Sequence, residues 1–232
     1  MKSKKILLIV GVIVAILIIS ITIYIFSKKS NKNLNLGNNL SNKTNQEIEE
    51  YILNISSYEA EIEVEVESNK NNTKYKIKQS YVSPNIEKQT VLEPSNISGL
   101  ETTYDGNVLK INNTKLNLST VYQNYPYMTD NFLWLNSFIE DYKVAKNSGT
   151  NNKLYEENNM LVMEVTLSQQ NPYISYKKLF IEKTTGKISK LVVQDKNKKN
   201  IVYILYNEIK INSLKEQEIL AFKLNDIAIG QY

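Results

Sequence analysis

Apolar and polar residues alternate through much of the chain, with the period of a β-strand that has one buried face. The stretch YEAEIEVEVES, residues 58–68, alternates alanine, isoleucine and valine with five glutamates. The stretch TKYKIKQ, residues 73–79, alternates tyrosine and isoleucine with lysines. A hairpin would place glutamates opposite lysines on one face and apolar side chains on the other, which favours one register. We expect the pairs Glu67–Lys74, Glu65–Lys76, Glu63–Lys78, Val66–Tyr75 and Val64–Ile77.

Two segments have the spacing of amphipathic helices instead. In the first, Thr44 and Glu47 have the spacing of a capping box. The apolar stripe after them is Ile48, Tyr51, Ile52 and Ile55. In the second, Thr129 or Asp130 is the expected N-cap, and residues 147–149 are the expected end. Its apolar stripe is Phe132, Leu135, Ile139 and Tyr142, widened by Trp134 and Phe138. A helix this apolar is expected to pack against other elements.

Turn signals divide the rest into short strands. Asp105–Gly106 lies between apolar alternations and predicts a hairpin, and Asn112–Asn113 begins another reversal. Four apolar strands follow the second helix. In the last of them, residues 201–206 are apolar on both sides, so we expect both sides to be covered. The order helix, strands, helix, strands predicts an α+β domain with one curved antiparallel sheet and helices packed inside it.

Residues 6–26 are uncharged and almost entirely apolar. As a helix they would span about 31 Å, the thickness of a bilayer core, which predicts a transmembrane anchor. The run ends in FSKKSNK, which offers no small-residue cleavage site of a signal peptide. We therefore expect a cytoplasmic tail (1–5), a single-pass anchor in the cell membrane (6–26), a flexible tether (27–43) and a domain (44–232). Flanking lysines do not decide the orientation, but the short tail favours an extracytoplasmic domain.

Composition narrows the chemistry. The chain has no cysteine and no histidine, and all 28 of its basic residues are lysines. Thiolate nucleophiles, Ser-His relays and most zinc sites are therefore excluded. Six lysines lie before residue 33, which leaves 22 lysines against 24 acidic residues in the rest of the chain. A nucleic-acid partner is therefore not expected.

Four sequence segments carry a family resemblance. They are SYEAEIEVEV, YVSPNIEKQTVLEP, TTYDGNVLKI and LFIEKTTGKISKLVVQDKNKKNIVYILYNEIKIN. In this order they resemble the LolA-like family of extracytoplasmic proteins, over residues 45–225. Within that family the chain is most similar to the GerS-related branch of germination lipoproteins. The resemblance implies a half-barrel, a strongly bent antiparallel sheet whose concave face holds helices and receives acyl chains or a docked protein.

Carried over to this sequence, the resemblance implies an inward apolar set and a lid. The inward set, a candidate ligand face or core, is Val64, Val66, Tyr75, Ile77, Trp134, Leu135 and Phe138. The lid would lie in residues 122–128, with Tyr125, Tyr127 and Met128 as its candidate residues. Lipoprotein carriers hold this lid through an arginine, and this chain has none. The germination lipoproteins are anchored through a lipid on a cysteine, a role that the transmembrane segment would take here.

Three functions compete at this point. The first is a non-catalytic module that docks and regulates a partner in the cell envelope, sporulation or germination, such as a cell-wall amidase. The second is a binder or carrier of a lipid or another apolar ligand in the concave face. The third is an enzyme that uses carboxylates or tyrosine. Glu140 and Asp141 near Trp134 are its candidate acidic pair, although neighbouring helix residues point in different directions. The strand glutamates, matched by lysines, favour a solvated face over a metal site. We expect no catalytic residues, cofactor or metal.

Overall fold

The computed structural model describes residues 43–67, 72–125, 132–167 and 173–214. These residues belong to one compact unit, Asn38–Tyr232. They form two helices, α1 (Asn45–Leu53) and α2 (Leu135–Asn147), and eleven strands in one sheet. The strands are β1 (Ser57–Glu67), β2 (Asn72–Val82), β3 (Ile86–Glu93), β4 (Leu100–Tyr104), β5 (Leu109–Asn113), β6 (Leu118–Tyr122), β7 (Asn152–Glu157), β8 (Met160–Thr166), β9 (Tyr176–Glu182), β10 (Ile188–Gln194) and β11 (Asn200–Ile211).

The sheet is two meanders joined side by side. Its order is β6-β5-β4-β3-β2-β1-β11-β10-β9-β8-β7, and every neighbouring pair is antiparallel. The first and last strands of the domain therefore meet in its middle, where β1 pairs with β11. Among the described strands, β6 and β7 are the two edges, and α2 lies between them in sequence. The expected large, curved antiparallel sheet with few helices is confirmed.

The core lies between α2 and one face of the sheet, which we call the inner face. Alternate residues of the central strands point to it, as strand geometry requires. Its fully buried members from the strands include Tyr58, Ile62, Val64, Leu161, Met163, Leu179, Ile181, Leu191 and Ile204. Leu135, Phe138 and Tyr142 of α2 are buried as completely. Each such side chain contributes about 1.5–3 kcal/mol on burial, so the core depends on α2.

The β1–β2 hairpin is confirmed, but the expected register is wrong by two residues. The observed partners are Glu65–Lys74, Glu63–Lys76, Glu61–Lys78, Val64–Tyr75 and Ile62–Ile77. A shift of two residues keeps every side chain on its predicted face, so the charge and apolar patterns are both preserved. It also extends pairing to Glu67–Asn72 and shortens the connection from six residues to four.

Two of the ion pairs on the outward face of this hairpin run diagonally, whereas Lys74 lies 3.2 Å from its direct partner Glu65. Lys76 Nζ lies 2.8 Å from Glu61 Oε1, and Lys78 Nζ lies 2.9 Å from Glu59 Oε1. The hydrogen bond and charge of Glu61 raise the pKa of Lys76 above its ordinary value. Exposed pairs of this kind contribute little each, so they select the pairing partner more than they stabilise the domain.

We expect cysteine cross-linking to distinguish the two registers. In the observed register, residues 61 and 78 are direct partners, with Cα atoms about 4.5–5.5 Å apart, which a disulfide can bridge. The variant Glu61→Cys/Lys78→Cys should therefore oxidise quickly to an intramolecular disulfide, measured by mass spectrometry. The matched variant Glu63→Cys/Lys78→Cys, the pair expected from sequence, should stay largely reduced. Faster closure of the second pair would contradict the observed register. The chain has no other cysteine to interfere.

The two helices differ in how well their starts were predicted. The capping box of α1 is confirmed, since Thr44 Oγ1 accepts from the Glu47 N–H at 3.3 Å and Glu47 Oε2 accepts from the Thr44 N–H at 2.8 Å. The expected N-caps of α2, Thr129 and Asp130, lie outside the described residues, but residues 132–134 are not helical, so the expected start is too early. The helix begins at Leu135, and the side chain of its N-cap, Trp134, makes no capping hydrogen bond. Its expected end at residues 147–149 is confirmed.

The expectation that both sides of residues 201–206 are covered is wrong. Val202, Ile204 and Tyr206 are buried on the inner face. On the other side, Ile201 and Tyr203 are half-buried and Leu205 is 37% exposed. The described helices lie on the inner face, so the outer face of β11 is covered only in part.

Within the described residues, no helix is long and apolar enough to cross a membrane. The expected anchor at residues 6–26 lies outside the described residues, as does the expected tether up to residue 42.

Candidate functional site

The seven residues of the candidate inward set lie at different depths. Val64, Ile77, Trp134, Leu135 and Phe138 are buried. Val66 and Tyr75, which lie nearer the β1–β2 connection, are half-buried. The ring of Trp134 lies 6.5 Å from that of Tyr58 on β1, within the range of favourable aromatic contact. Helix α2 therefore covers the centre of this face with its own side chains.

Tyr58 fixes the start of α2. Its hydroxyl accepts the Leu135 N–H at 3.2 Å and donates to Asn136 Oδ1 at 3.3 Å. Asn136 Nδ2 in turn donates to Glu87 Oε1 at 3.0 Å. Burial raises the pKa of Tyr58 well above its ordinary value, so the hydroxyl keeps the proton that it donates. The first N–H of the helix is satisfied by a strand residue, which explains why no local cap is needed.

Two ionic contacts, each with one buried partner, hold the rest of α2. Lys177 of β9 is 2% exposed, and its Nζ lies 2.6 Å from Asp141 Oδ2 and 3.0 Å from Ser137 Oγ. Glu49 of α1 is also buried and accepts from Tyr142 Oη at 2.7 Å and from Lys146. Buried charges are tolerated only when they are paired. These contacts therefore specify one position for α2 on the sheet and against α1.

The acidic pair considered for catalysis is used in structural contacts. Glu140 is exposed and pairs with Lys143 one turn along the helix at 3.1 Å. Asp141 pairs with the buried Lys177. The two carboxylates thus have separate partners and do not act on a common site. In the part of the chain that the structure describes, no group of three or more acidic residues is placed to hold a metal ion.

Glu164 is a buried carboxylate on the outer face of β8. Its Oε2 accepts from Tyr155 Oη at 3.1 Å and lies 3.3 Å from Lys178 Nζ, and Lys153 is 4.0 Å from Oε1. Burial alone would raise the pKa of Glu164, but these neighbours together lower it below its ordinary value. A carboxylate that stays ionised and fully paired stabilises the strands and makes a poor proton donor at neutral pH.

Of the seven large apolar side chains that are exposed among the described residues, four lie at the β6 edge. Leu116 is 65% exposed, Leu118 63%, Val121 54% and Tyr122 45%. Of the candidate lid residues, only Tyr125 lies among the described ones, and it is half-buried. Its N–H donates to the Asn107 carbonyl at 2.8 Å, and its carbonyl accepts from Tyr104 Oη at 3.3 Å. Tyr127 and Met128 lie outside the described residues.

Sequence reasoning missed Tyr58, Lys177 and Glu49, which hold α2. The signal for Lys177 was present, because it alternates in phase with the apolar residues Leu179 and Ile181. A lysine at an inward position of a strand indicates a buried charge that needs a partner. Its partner, Asp141, is 36 residues away in sequence, so no local pattern could identify it.

A family model of YdcC-like sporulation proteins matches residues 4–220. The chain therefore belongs to the family of YdcC-like sporulation proteins. Comparison with curated proteins gives no match.

Several solved structures are similar over most of their length. One is a LolA superfamily protein from Nitrosomonas europaea, 11% identical, with 76% of this chain and 97% of that one covered and a TM-score of 0.39. Another is a structure of the CwlD amidase from Clostridioides difficile in complex with the GerS lipoprotein, 21% identical, with 74% and 92% covered and a TM-score of 0.40. An uncharacterised conserved protein from Thermus thermophilus is 13% identical, with 76% and 93% covered and a TM-score of 0.47. The expected resemblance to sporulation proteins is confirmed by the family model.

Proposed function

We propose that this chain is a membrane-anchored, extracytoplasmic and non-catalytic module. It docks on a protein partner of the cell envelope during sporulation or germination and regulates that partner. The anchor is the apolar segment 6–26, and the domain beyond it presents the docking surface. Membership of a sporulation family gives the setting.

This proposal rests on the contrast between the inner face of the sheet and its β6 edge. The centre of the inner face is covered by α2, whose Leu135 and Phe138 are fully buried against the sheet. Four of the seven large apolar residues that are exposed in the described part of the chain instead lie together at the β6 edge. Clustered apolar exposure of this kind is typical of a surface that binds another macromolecule. The lipid-carrier alternative lacks comparable support, because five of the seven residues expected to line its cavity are buried and only Val66 and Tyr75 are half-buried.

A cell-wall amidase is the first partner to test, because the sequence resembles the germination lipoprotein branch. The chain itself is proposed not to cleave the cell wall. Its carboxylates Glu49, Asp141 and Glu164 are each paired with a lysine, so none is poised as a general acid or base.

Purified components can test this function. The full chain, reconstituted in vesicles, would be mixed with each cell-wall amidase encoded by the same genome, and binding and peptidoglycan cleavage would be measured. We expect one amidase to bind with a Kd of about 1 µM or tighter and to change its cleavage rate when bound. Vesicles that carry only residues 1–43 are the control for binding to the membrane. If no amidase binds, or if the chain alone cleaves peptidoglycan, the proposed function is wrong.

A further inference from the structure

The outer face of the sheet carries apolar side chains at β9, β10 and β11, where a strand that faces solvent normally carries polar ones. Leu205 of β11 is 37% exposed, and Tyr203 is half-buried. Tyr203 lies opposite Val192 of β10, which is only 3% exposed. One strand further, Phe180 of β9 is half-buried. We call Phe180, Val192, Tyr203 and Leu205 the outer patch.

The neighbouring strand on the same face provides the comparison. On β1, Glu63 lies opposite Leu205. The next outward residue, Glu65, lies opposite Tyr203. Lys74 of β2 lies 3.8 Å from Glu63 and 3.2 Å from Glu65, so β1 and β2 present ion pairs to solvent. The change from charged to apolar residues between β1 and β11 indicates that the outer face becomes covered at β11.

A lysine lies inside the outer patch without interrupting it. Lys190 of β10 lies opposite Leu205 on one side and Phe180 on the other. Its Nζ lies 4.4 Å from the centre of the Phe180 ring, a favourable contact between a cation and an aromatic face. The methylene stem of a lysine is apolar and packs along apolar surface. The outer patch is therefore continuous across three strands.

The outer patch is too small for a stable interface with another folded protein. Such an interface buries about 800 Å² on each partner and uses about 20–30 residues of each. The outer patch has four apolar residues, one of which is already buried. A single amphipathic segment is a better match, because it brings one apolar stripe and keeps its polar side in water.

Residues 215–232, which follow the described part of the chain, contain such a segment. Their sequence is KEQEILAFKLNDIAIGQY. Leu220 and Leu224 are four residues apart, so they share a face in a helix and in a strand alike. Ile227 would continue this stripe in a helix, and Phe222 would belong to it in a strand. An apolar stripe is thus present in either conformation.

The last described residue lies within reach of the outer patch. The N–H of Leu214 donates to Ser57 Oγ at 3.2 Å, at the start of β1. Strand β11 ends at Ile211, six residues after Leu205, which is about 20 Å along the strand. Ten residues lead from Leu214 to Leu224, and they span about 15 Å as a helix and about 33 Å when extended. The stripe can therefore lie over Leu205.

We propose that residues 219–229 of this chain pack on the outer patch and complete the cover of this face. The inner face is occupied by α2, so the outer patch is the apolar surface available beside β11. The domain then has α2 on one face of the sheet and this segment on the other. The inference goes beyond the proposed docking function and does not depend on it.

Photo-crosslinking of the full chain in detergent micelles tests the proposal. The chain has no cysteine, so Glu63→Cys carries a benzophenone label at one place only, beside Leu205. We expect the monomeric product to contain a cross-link to tryptic peptide 216–223 or 224–232. The matched control is Glu140→Cys, exposed on α2, whose label should capture neither peptide. A label at residue 63 that captures neither, or only those of a second copy, overturns the proposal.

A substitution inside the segment gives a second measurement. In Leu205→Cys the thiol would lie under the segment, and its rate of alkylation by iodoacetamide reports its exposure. Adding Leu224→Glu should raise this rate about tenfold or more, because a carboxylate is costly to bury on an apolar patch and the segment would open. Adding Asn225→Glu instead places the same charge away from the stripe and should leave the rate unchanged.

The alkylation rates also separate the proposal from other ways of covering this face. If the thiol reacts at the same rate with and without Leu224→Glu, or if both substitutions raise the rate equally, the segment does not pack there by its apolar stripe. Unchanged fluorescence of Trp134 shows that each variant is folded. If Leu224→Glu does not fold, the cross-linking result decides, since it needs no change within the segment.

Discussion

Replacing Phe138 by alanine is expected to lower the free energy of unfolding by about 3–5 kcal/mol. Phe138 is fully buried between α2 and the inner face of the sheet, and its ring lies 5.8 Å from that of Tyr142. Alanine would leave a cavity that the eleven-stranded sheet cannot close without disturbing its pairing. Denaturation can be followed through the fluorescence of Trp134, the one tryptophan of the chain, which is buried beside the start of α2.

Val144→Ala is the matched control for this variant. It lies on the same helix but is 66% exposed, so its stability should change by about 0.5 kcal/mol or less. A Phe138→Ala protein as stable as wild type would mean that α2 does not pack on the sheet as described. The candidate inward set would then be open to a ligand, and the lipid-binding alternative would regain support.

Replacing Asp141 by alanine is expected to cost about 2–4 kcal/mol, because it leaves the ammonium of Lys177 buried without its counter-ion. Lys177 is 2% exposed, and the hydroxyl of Ser137 cannot neutralise its charge. A helix that must accommodate an unpaired buried charge moves away from the sheet or unfolds locally. Urea denaturation of the full chain in detergent micelles measures the loss.

A double substitution separates the charge effect from simple truncation. In Asp141→Ala/Lys177→Met the buried charge is gone, so its stability should lie within about 1 kcal/mol of wild type, well above that of Asp141→Ala alone. Glu140→Ala is the control next in sequence, and its exposed pair with Lys143 should contribute little. If the double variant is less stable than Asp141→Ala, Asp141 does not act by neutralising the buried ammonium of Lys177.

Together, Phe138→Ala and Asp141→Ala test whether α2 is fixed on the inner face of the sheet. Apolar packing and ionic contacts from β9 and α1 both hold α2 on the inner face. Because α2 is held in this way, the inner face is expected to be rigid, whereas a carrier needs a face that opens to its ligand. The β6 edge lies away from these contacts, at the end of the first meander, so docking there would not require α2 to move.

The sequence by itself determined which way most side chains point. The period of two in residues 58–67 and 73–79 placed Val64 and Ile77 inside and the charged residues outside, as observed. The capping box at Thr44 and the turn at Asp105–Gly106 are also local, and both are confirmed. Such features depend on residues within a few positions of one another, so a linear pattern is enough to specify them.

Only the tertiary structure decided how these elements meet. The hairpin register moved by two residues, which alternation cannot detect because it preserves both faces. Helix α2 begins at Leu135 because the hydroxyl of Tyr58, 77 residues away, accepts its first N–H. The outer side of β11 is partly open because the described helices lie on the other face. These outcomes depend on contacts between residues that are distant in the chain. A local sequence pattern does not contain the free energy of such contacts.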